Sequence, residues 1–102
     1  MVLDETEGLR LAATLGDKKA LILQNHGLLT VGPTVEAAAW WFISMDNAAR
    51  TQLLADAAGK TKPIAHETAQ HTASQTGTHK GATFSFQPLW DSIVAAEPDL
   101  LN

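Results

Sequence analysis

The stretch whose reading decides the fold is Leu21-Ile22-Leu23-Gln24-Asn25-His26-Gly27-Leu28-Leu29-Thr30-Val31-Gly32. Two short apolar runs flank Asn25-His26-Gly27. The pattern predicts buried strands over Leu21 to Gln24 and Leu28 to Val31, because each run is continuous, short and bounded by turn residues. Asn and Gly take positive φ at little steric cost, so Asn25-His26-Gly27 is expected to be a tight reversal. On spacing alone His26 reads as an exposed, solvated turn histidine. A histidine fixed between two buried strands is also rigidly placed, and rigid placement is what a metal ligand needs.

Upstream, Asp4 to Leu15 reads as a helix. Asp4 is its N-cap, Glu5 and Glu7 sit in the first turn where the helix dipole favours acids, and Gly16 is the stop. Leu9, Ala12 and Ala13 share its apolar face. Downstream, Gly32-Pro33-Thr34 ends the second strand. Thr34 is the expected N-cap of a helix that carries Glu36 in its first turn and runs to about Ala58, with Gly59 just beyond. The first half of that helix is unusual: Ala37 to Ile43 is seven consecutive apolar residues, including Trp40, Trp41 and Phe42. A helix apolar all round has to be covered all round. The second half returns to amphipathicity, with Met45, Ala49, Leu53 and Ala57 available inward.

Composition changes from Lys60 to Thr83, which is polar, with Ile64 its only large apolar residue. Pro63 could open a peripheral helix through Gln75. Gly77 to Thr83 reads as loop, and Phe84 and Phe86 alternate like a short extended segment. Pro88 is expected to open a last helix with Leu89, Trp90, Ile93 and Val94 at helical spacing, ended by Pro98. The resulting segments are 1–59, a polar linker or peripheral helix over 60–83, and a tail helix over 84–102.

Two strands make a marginal sheet on their own. Both are apolar on both faces, which calls for cover on both sides and for neighbours at the edges. Together with the all-round apolar helix, this predicts part of a larger domain or a chain that oligomerises. The alternative is a compact fold of 102 residues in which the terminal helices supply the cover.

At 45% hydrophobic the chain can bury a core, and it is not expected to be disordered. A net charge of −4 with no basic stripe argues against nucleic acid as a partner. No apolar run reaches membrane-spanning length, so no membrane association is expected. Met1-Val2-Leu3 runs directly into Asp4 and Glu5, so no signal peptide is expected and the cytoplasm is the default location. Cysteine is absent, which excludes disulfides and thiolate chemistry.

Chemistry therefore falls to four histidines, His26, His66, His71 and His79. Histidine-ligated zinc usually takes three correctly placed protein groups. His66 and His71 are five residues apart and point to different faces of a helix, and His79 falls in a loop. A site from His26, His66 and His71 is geometrically conceivable, but no spacing supports it. The last three histidines read as solvated groups of a polar linker. There is no His-Glu-x-x-His, no phosphate-cradling glycine loop and no Gly-x-Ser-x-Gly. Asp46 and Arg50 form an i,i+4 pair worth a few tenths of a kcal/mol, roughly.

The run from Leu15 to Ala58 resembles the class II aldolase/adducin family, specifically the C-terminal part of its domain. The matching residues are Lys19 to Gly32, then Thr34-Val35-Glu36-Ala37-Ala38, then Asp46, Ala49 and Gln52-Leu53. The Asn-His-Gly reversal, followed by Gly-x-Thr-x-Glu and a long helix, carries the specificity. The tail from Phe84 to Asn102 is similar more loosely.

The resemblance implies an α/β fold, here a partial three-layer α/β/α arrangement with a short two-strand hairpin flanked by helices. It implies enzymes that act on sugar phosphates or related hydroxy-carbonyl compounds through a metal-stabilised enediolate: aldolases, epimerases and dehydratases. Their divalent metal, usually zinc, is held by three histidines, two from an earlier His-x-His and the third from the Asn-His-Gly turn. By that match His26 is a metal ligand, Asn25 and Gly27 support the turn, and no catalytic residue is assigned in this chain. The departures are equally specific. The chain has no His-x-His, no counterpart of the family's upstream carboxylate or phosphate-binding segment, and no tyrosine. These residues alone are thus expected to bind no zinc tightly and to be inactive, while the complete domain is expected to form a homo-oligomer. Two other readings stand beside the lyase or isomerase one. One is a non-catalytic adducin-like interaction or oligomerisation module. The other is a truncated product that self-associates through its uncovered strands.

Overall fold

The computed structural model describes residues 4–101. The reading of Met1 to Leu3 as free of a leader lies outside the described residues. The element order is α1 (Glu5–Leu15), β1 (Ala20–Leu23), β2 (Gly27–Thr30), α2 (Val35–Ala58), α3 (His66–Thr76), α4 (His79–Ala96) and a 3-10 turn, Pro98–Leu101.

Helix α1 begins where expected, with the Asp4 carboxylate accepting from the Thr6 backbone N–H at 3.0 Å. Gly16 ends it at a φ of 54°, and its N–H donates to the Ala12 carbonyl. The face it buries differs from the expected one. Glu7, Leu11 and Leu15 are half-buried, whereas Leu9 is 66% exposed. The helix lies against β1, and that contact selects the i, i+4, i+8 row over the row holding Leu9, Ala12 and Ala13.

Strands β1 and β2 pair antiparallel, with Ala20 opposite Thr30, Leu21 opposite Leu29, Ile22 opposite Leu28 and Leu23 opposite Gly27. Both strands start and end one residue earlier than the sequence suggested. The reversal is Gln24-Asn25-His26 rather than Asn25-His26-Gly27, because the His26 N–H donates back to the Leu23 carbonyl at 3.1 Å and draws Gln24 into the turn. Gly27, at a φ of 150°, becomes the first residue of β2. The Val31 N–H donates to the Lys19 carbonyl and carries the pairing one step past the strand ends.

Helix α2 has the expected bounds. The Thr34 hydroxyl accepts from the Ala37 N–H at 3.2 Å, and Gly59 follows the last turn. Its first half packs on β2 and α4. The Thr30 hydroxyl donates to the Ala38 carbonyl at 2.9 Å, tying the end of β2 to the start of the helix. Ala37 is fully buried and Ala38 to Trp41 are half-buried, but Phe42 is 47% exposed. The all-round cover that this run demands is not supplied by the described residues. In the second half, Met45 is half-buried while Ala49, Leu53 and Ala57 are exposed, so most of the expected inward face lies in solvent.

The C-terminal third departs most from expectation. Helix α3 begins at His66 rather than near Pro63. Gly77 to Thr83 is not a loop: Thr78 caps α4 by accepting from the Gly81 N–H at 3.0 Å, and the helix then runs through Phe84 and Phe86. The two phenylalanines are therefore helical, and Pro88 lies inside α4 instead of opening it. Proline forfeits one helical hydrogen bond, and α4 nevertheless continues through Pro88 to Ala96.

Only Ala37 and Ala82, at the α2–α4 crossing, are fully buried among the described residues. The radius of gyration is 16.5 Å, where a self-contained domain of this length would show about 13 Å. The accessible surface is 8267 Å², about one and a half times what a compact protein of this mass exposes. The molecule is an open array of helices around a hairpin, with many of its large apolar side chains, Ile22, Val35 and Phe84 among them, left exposed.

Candidate functional site

The hairpin tip is the best-defined place for chemistry. Asn25 sits there at a φ of 57° and is the non-glycine residue with positive φ among the described residues. Asparagine tolerates this left-handed conformation because its short polar side chain can satisfy the local backbone. The turn places His26 in solvent at the end of a paired two-strand unit. Its imidazole lines a cleft of ≈ 320 Å³ together with Glu7, Arg10 and Leu11 of α1 and Leu23 and Gln24 of β1 and the turn.

The cleft has its own electrostatics. Arg10 donates to both carboxylate oxygens of Glu7, from Nε and from Nη2, each at 2.7 Å. Those hydrogen bonds hold the Glu7 carboxyl below the usual carboxylate range and raise the Arg10 guanidinium. Sequence reasoning placed Glu7 only as a first-turn acid and did not weigh Arg10. The i,i+3 spacing signalled the pair, but nothing local signalled that it would stand beside His26.

The other histidines do not gather at this tip. His66 opens α3, His71 lies further along it, and both are exposed. His79 is the first residue of α4, where its Nδ1 accepts a hydrogen bond from the Trp41 indole N–H at 3.2 Å. Among the described residues, no group of three His, Cys, Asp or Glu side chains comes together to hold a metal ion. One histidine does not fit a divalent metal that takes three protein ligands, so these residues do not by themselves constitute the centre that the resemblance implies. Among the described residues no helix is long and apolar enough to cross a membrane.

A two-strand antiparallel hairpin flanked by helices is consistent with a partial α/β aldolase fold. The model of the family described as "Class II Aldolase and Adducin N-terminal domain" matches residues 2–53. The chain belongs to the class II aldolase and adducin family. It is 48% identical over 100 residues to a 4-hydroxy-3-prenylphenylpyruvate oxygenase/4-hydroxy-3-prenylbenzoate synthase of Streptomyces roseochromogenus subsp. oscitans, covering 98% of this chain and 36% of that protein. It is 33% identical over 95 residues to alpha-adducin of Rattus norvegicus, covering 88% of this chain and 13% of that one. The structure of L-fuculose 1-phosphate aldolase from Glaciozyma antarctica PI12 superposes with a TM-score of 0.86 at 41% identity, over 96% of this chain and 39% of that one. The chain thus spans little more than a third of the length of the enzymes it matches.

Proposed function

We propose that these residues are the distal portion of a metal-dependent carbon–carbon lyase or isomerase domain, in which His26 is one metal ligand and sequence outside the 102 residues supplies the others. The observation that carries this reading is the position of His26: exposed, at the tip of a paired hairpin, on a turn held by Asn25 at positive φ. Asn25 and Gly27 serve as turn supports and not as chemical groups. When bound, a divalent metal such as zinc supplies stabilisation of negative charge that develops beside a carbonyl.

The substrate class is a small hydroxy-carbonyl or oxo-acid compound, a sugar phosphate foremost. The structural neighbour is an aldolase, and another relative, 48% identical over 98% of this chain, is the decarboxylase NovR of Streptomyces niveus. Aldol cleavage and decarboxylation both break a carbon–carbon bond whose electrons a neighbouring carbonyl receives. The isolated chain is inactive, since it holds one ligand of the set. The complete protein is a homo-oligomer, which would cover the half-exposed aromatic residues of α2.

The test is a chimera in which this chain replaces the matching segment of the L-fuculose 1-phosphate aldolase. Metal content of the purified chimera should be near one divalent ion per subunit, and His26→Ala should lose most of it. Equal metal content in both would remove His26 from the ligand set. Zinc titration of the 102-residue chain by calorimetry should show no tight site. A tight site abolished by His26→Ala would show instead that the chain completes its own centre.

A second reading, an adducin-like interaction module, draws on the apolar side chains left in solvent: Leu53 and Leu54 at 71% and 73% exposure, and Phe84 at 82%. It predicts stable assembly of the chimera with unchanged metal content in the His26→Ala variant.

A further inference from the structure

The cleft beside the hairpin tip holds a guanidinium with one edge occupied and one edge free. Glu7 takes the Nε and Nη2 N–H groups of Arg10, both at 2.7 Å. A guanidinium carries five N–H groups in one plane. One N–H of Nη1 and the second N–H of Nη2 point forward together as an end-on fork, and among the described residues no acceptor engages them. Arg10 projects from α1 into the same ≈ 320 Å³ cleft as Gln24 and His26 of the turn, with Leu11 and Leu23 as apolar wall.

We infer that Arg10 is the receptor for the anionic end of the substrate: its free fork takes a bidentate oxyanion, the carboxylate of a small oxo acid or a phosphate ester, while the substrate's carbonyl lies toward His26. The orientation toward His26 rests on the function proposed above, whereas the anion site itself needs no metal. The pair with Glu7 fixes the guanidinium plane, so little side-chain freedom is left to lose when a second oxyanion docks. Glu7 also offsets the charge of Arg10. Attraction in the cleft is therefore set by the directed N–H groups of the fork, a geometry that an ammonium does not offer. Gln24 adds an amide donor to the same cleft. The volume is at the small end of the roughly 300–1,000 Å³ range of small-molecule sites, which selects a compact ligand.

The chain's other arginine supplies the contrast. Arg50 donates to Asp46 from Nε alone, at 3.0 Å, and its side chain is 76% exposed on α2. An exposed pair of that kind is the ordinary i,i+4 contact of a helix surface. Arg10 differs in being held by two short hydrogen bonds and in sharing a walled cleft with an amide and an imidazole.

Arginine Nε–H resonances of the ¹⁵N-labelled, metal-free chain read this directly, because Arg10→Lys assigns the two signals. Sodium pyruvate and inorganic phosphate are titrated separately at fixed pH and ionic strength. At least one of them should move the Arg10 Nε–H and the His26 backbone N–H along a single saturating curve with a midpoint on the order of 1–10 mM, while the Arg50 Nε–H stays in place. Saturation by pyruvate alone identifies a carboxylate, and saturation by phosphate alone a phosphate ester. In Arg10→Lys, which keeps the charge and loses the fork, the His26 curve should need at least ~10-fold more probe. The inference is overturned if neither probe saturates, if Arg10 and Arg50 move in parallel, or if the His26 curve is unchanged in Arg10→Lys. Metal is absent throughout, so such a failure leaves His26 as a ligand to be judged by the metal content of the chimera, and a failure there leaves the anion site standing.

Discussion

Gly32 lies so close to Ala37 that no side chain fits between them: a Cβ at position 32 would fall 3.0 Å from the Ala37 methyl and 2.9 Å from the Ala38 backbone nitrogen. This approach seats the start of α2 on the end of β2, and Ala37 is one of the two residues fully buried among those described. Gly32→Ala should push the helix off the hairpin and destabilise the fold by about 1–3 kcal/mol, the usual cost of overpacking. Urea denaturation followed by far-UV circular dichroism checks this. An unchanged midpoint would mean that the contact yields freely.

The cap of α2 gives a second prediction. Thr34→Ala removes the hydroxyl that accepts from the Ala37 N–H and should cost about 1 kcal/mol, readable in the same denaturation experiment. Thr34→Ser should retain most of the stability.

The pH response of this cap follows from Glu36. Its carboxyl is held below the usual range by its own backbone N–H and by the Thr34 hydroxyl. A carboxylate whose folded-state pKa is depressed contributes stability above its unfolded value, and that contribution disappears as pH falls through the folded value. Amide protection at the start of α2 should therefore be constant near neutrality and fall below about pH 4. Glu36→Gln should flatten that acid limb, whereas an identical limb in the variant would assign it to another group.

At the hairpin tip, Asn25 occupies the left-handed region at a φ of 57°. Asn25→Ala should cost roughly 1 kcal/mol, and Asn25→Gly should be close to neutral. Hydrogen exchange at the Leu28 and Leu29 amides measures the effect on the hairpin. Equal protection in all three proteins would show that strain at the turn is not transmitted to the strands.

The distal half of α2 carries Leu53 and Leu54 in solvent. Exposed apolar pairs of this kind favour association. Sedimentation velocity of the chain should show concentration-dependent self-association, and the double substitution Leu53→Lys, Leu54→Lys should shift it toward monomer. If the distribution does not move, association runs through another surface.

The sequence by itself determined the proximal part of the molecule. The hairpin, the caps at Asp4 and Thr34, and the span of α2 were legible because turn chemistry, capping and apolar runs act within a few residues of one another. The same local pattern placed His26 on the turn, whereas its role as a metal ligand was implied by the family resemblance. What only the tertiary structure decided was everything that depends on residues far apart in the chain. Leu11 and Leu15, and not Leu9, face the sheet because β1 lies on that side of α1. Phe84 and Phe86 are helical, and Pro88 sits inside α4, because the helix starts ahead of them at the Thr78 cap, where Ala82 is buried and α4 packs on α2. Trp41 meets His79 across 38 residues, a distance over which local pattern carries no signal and only packing brings two side chains together.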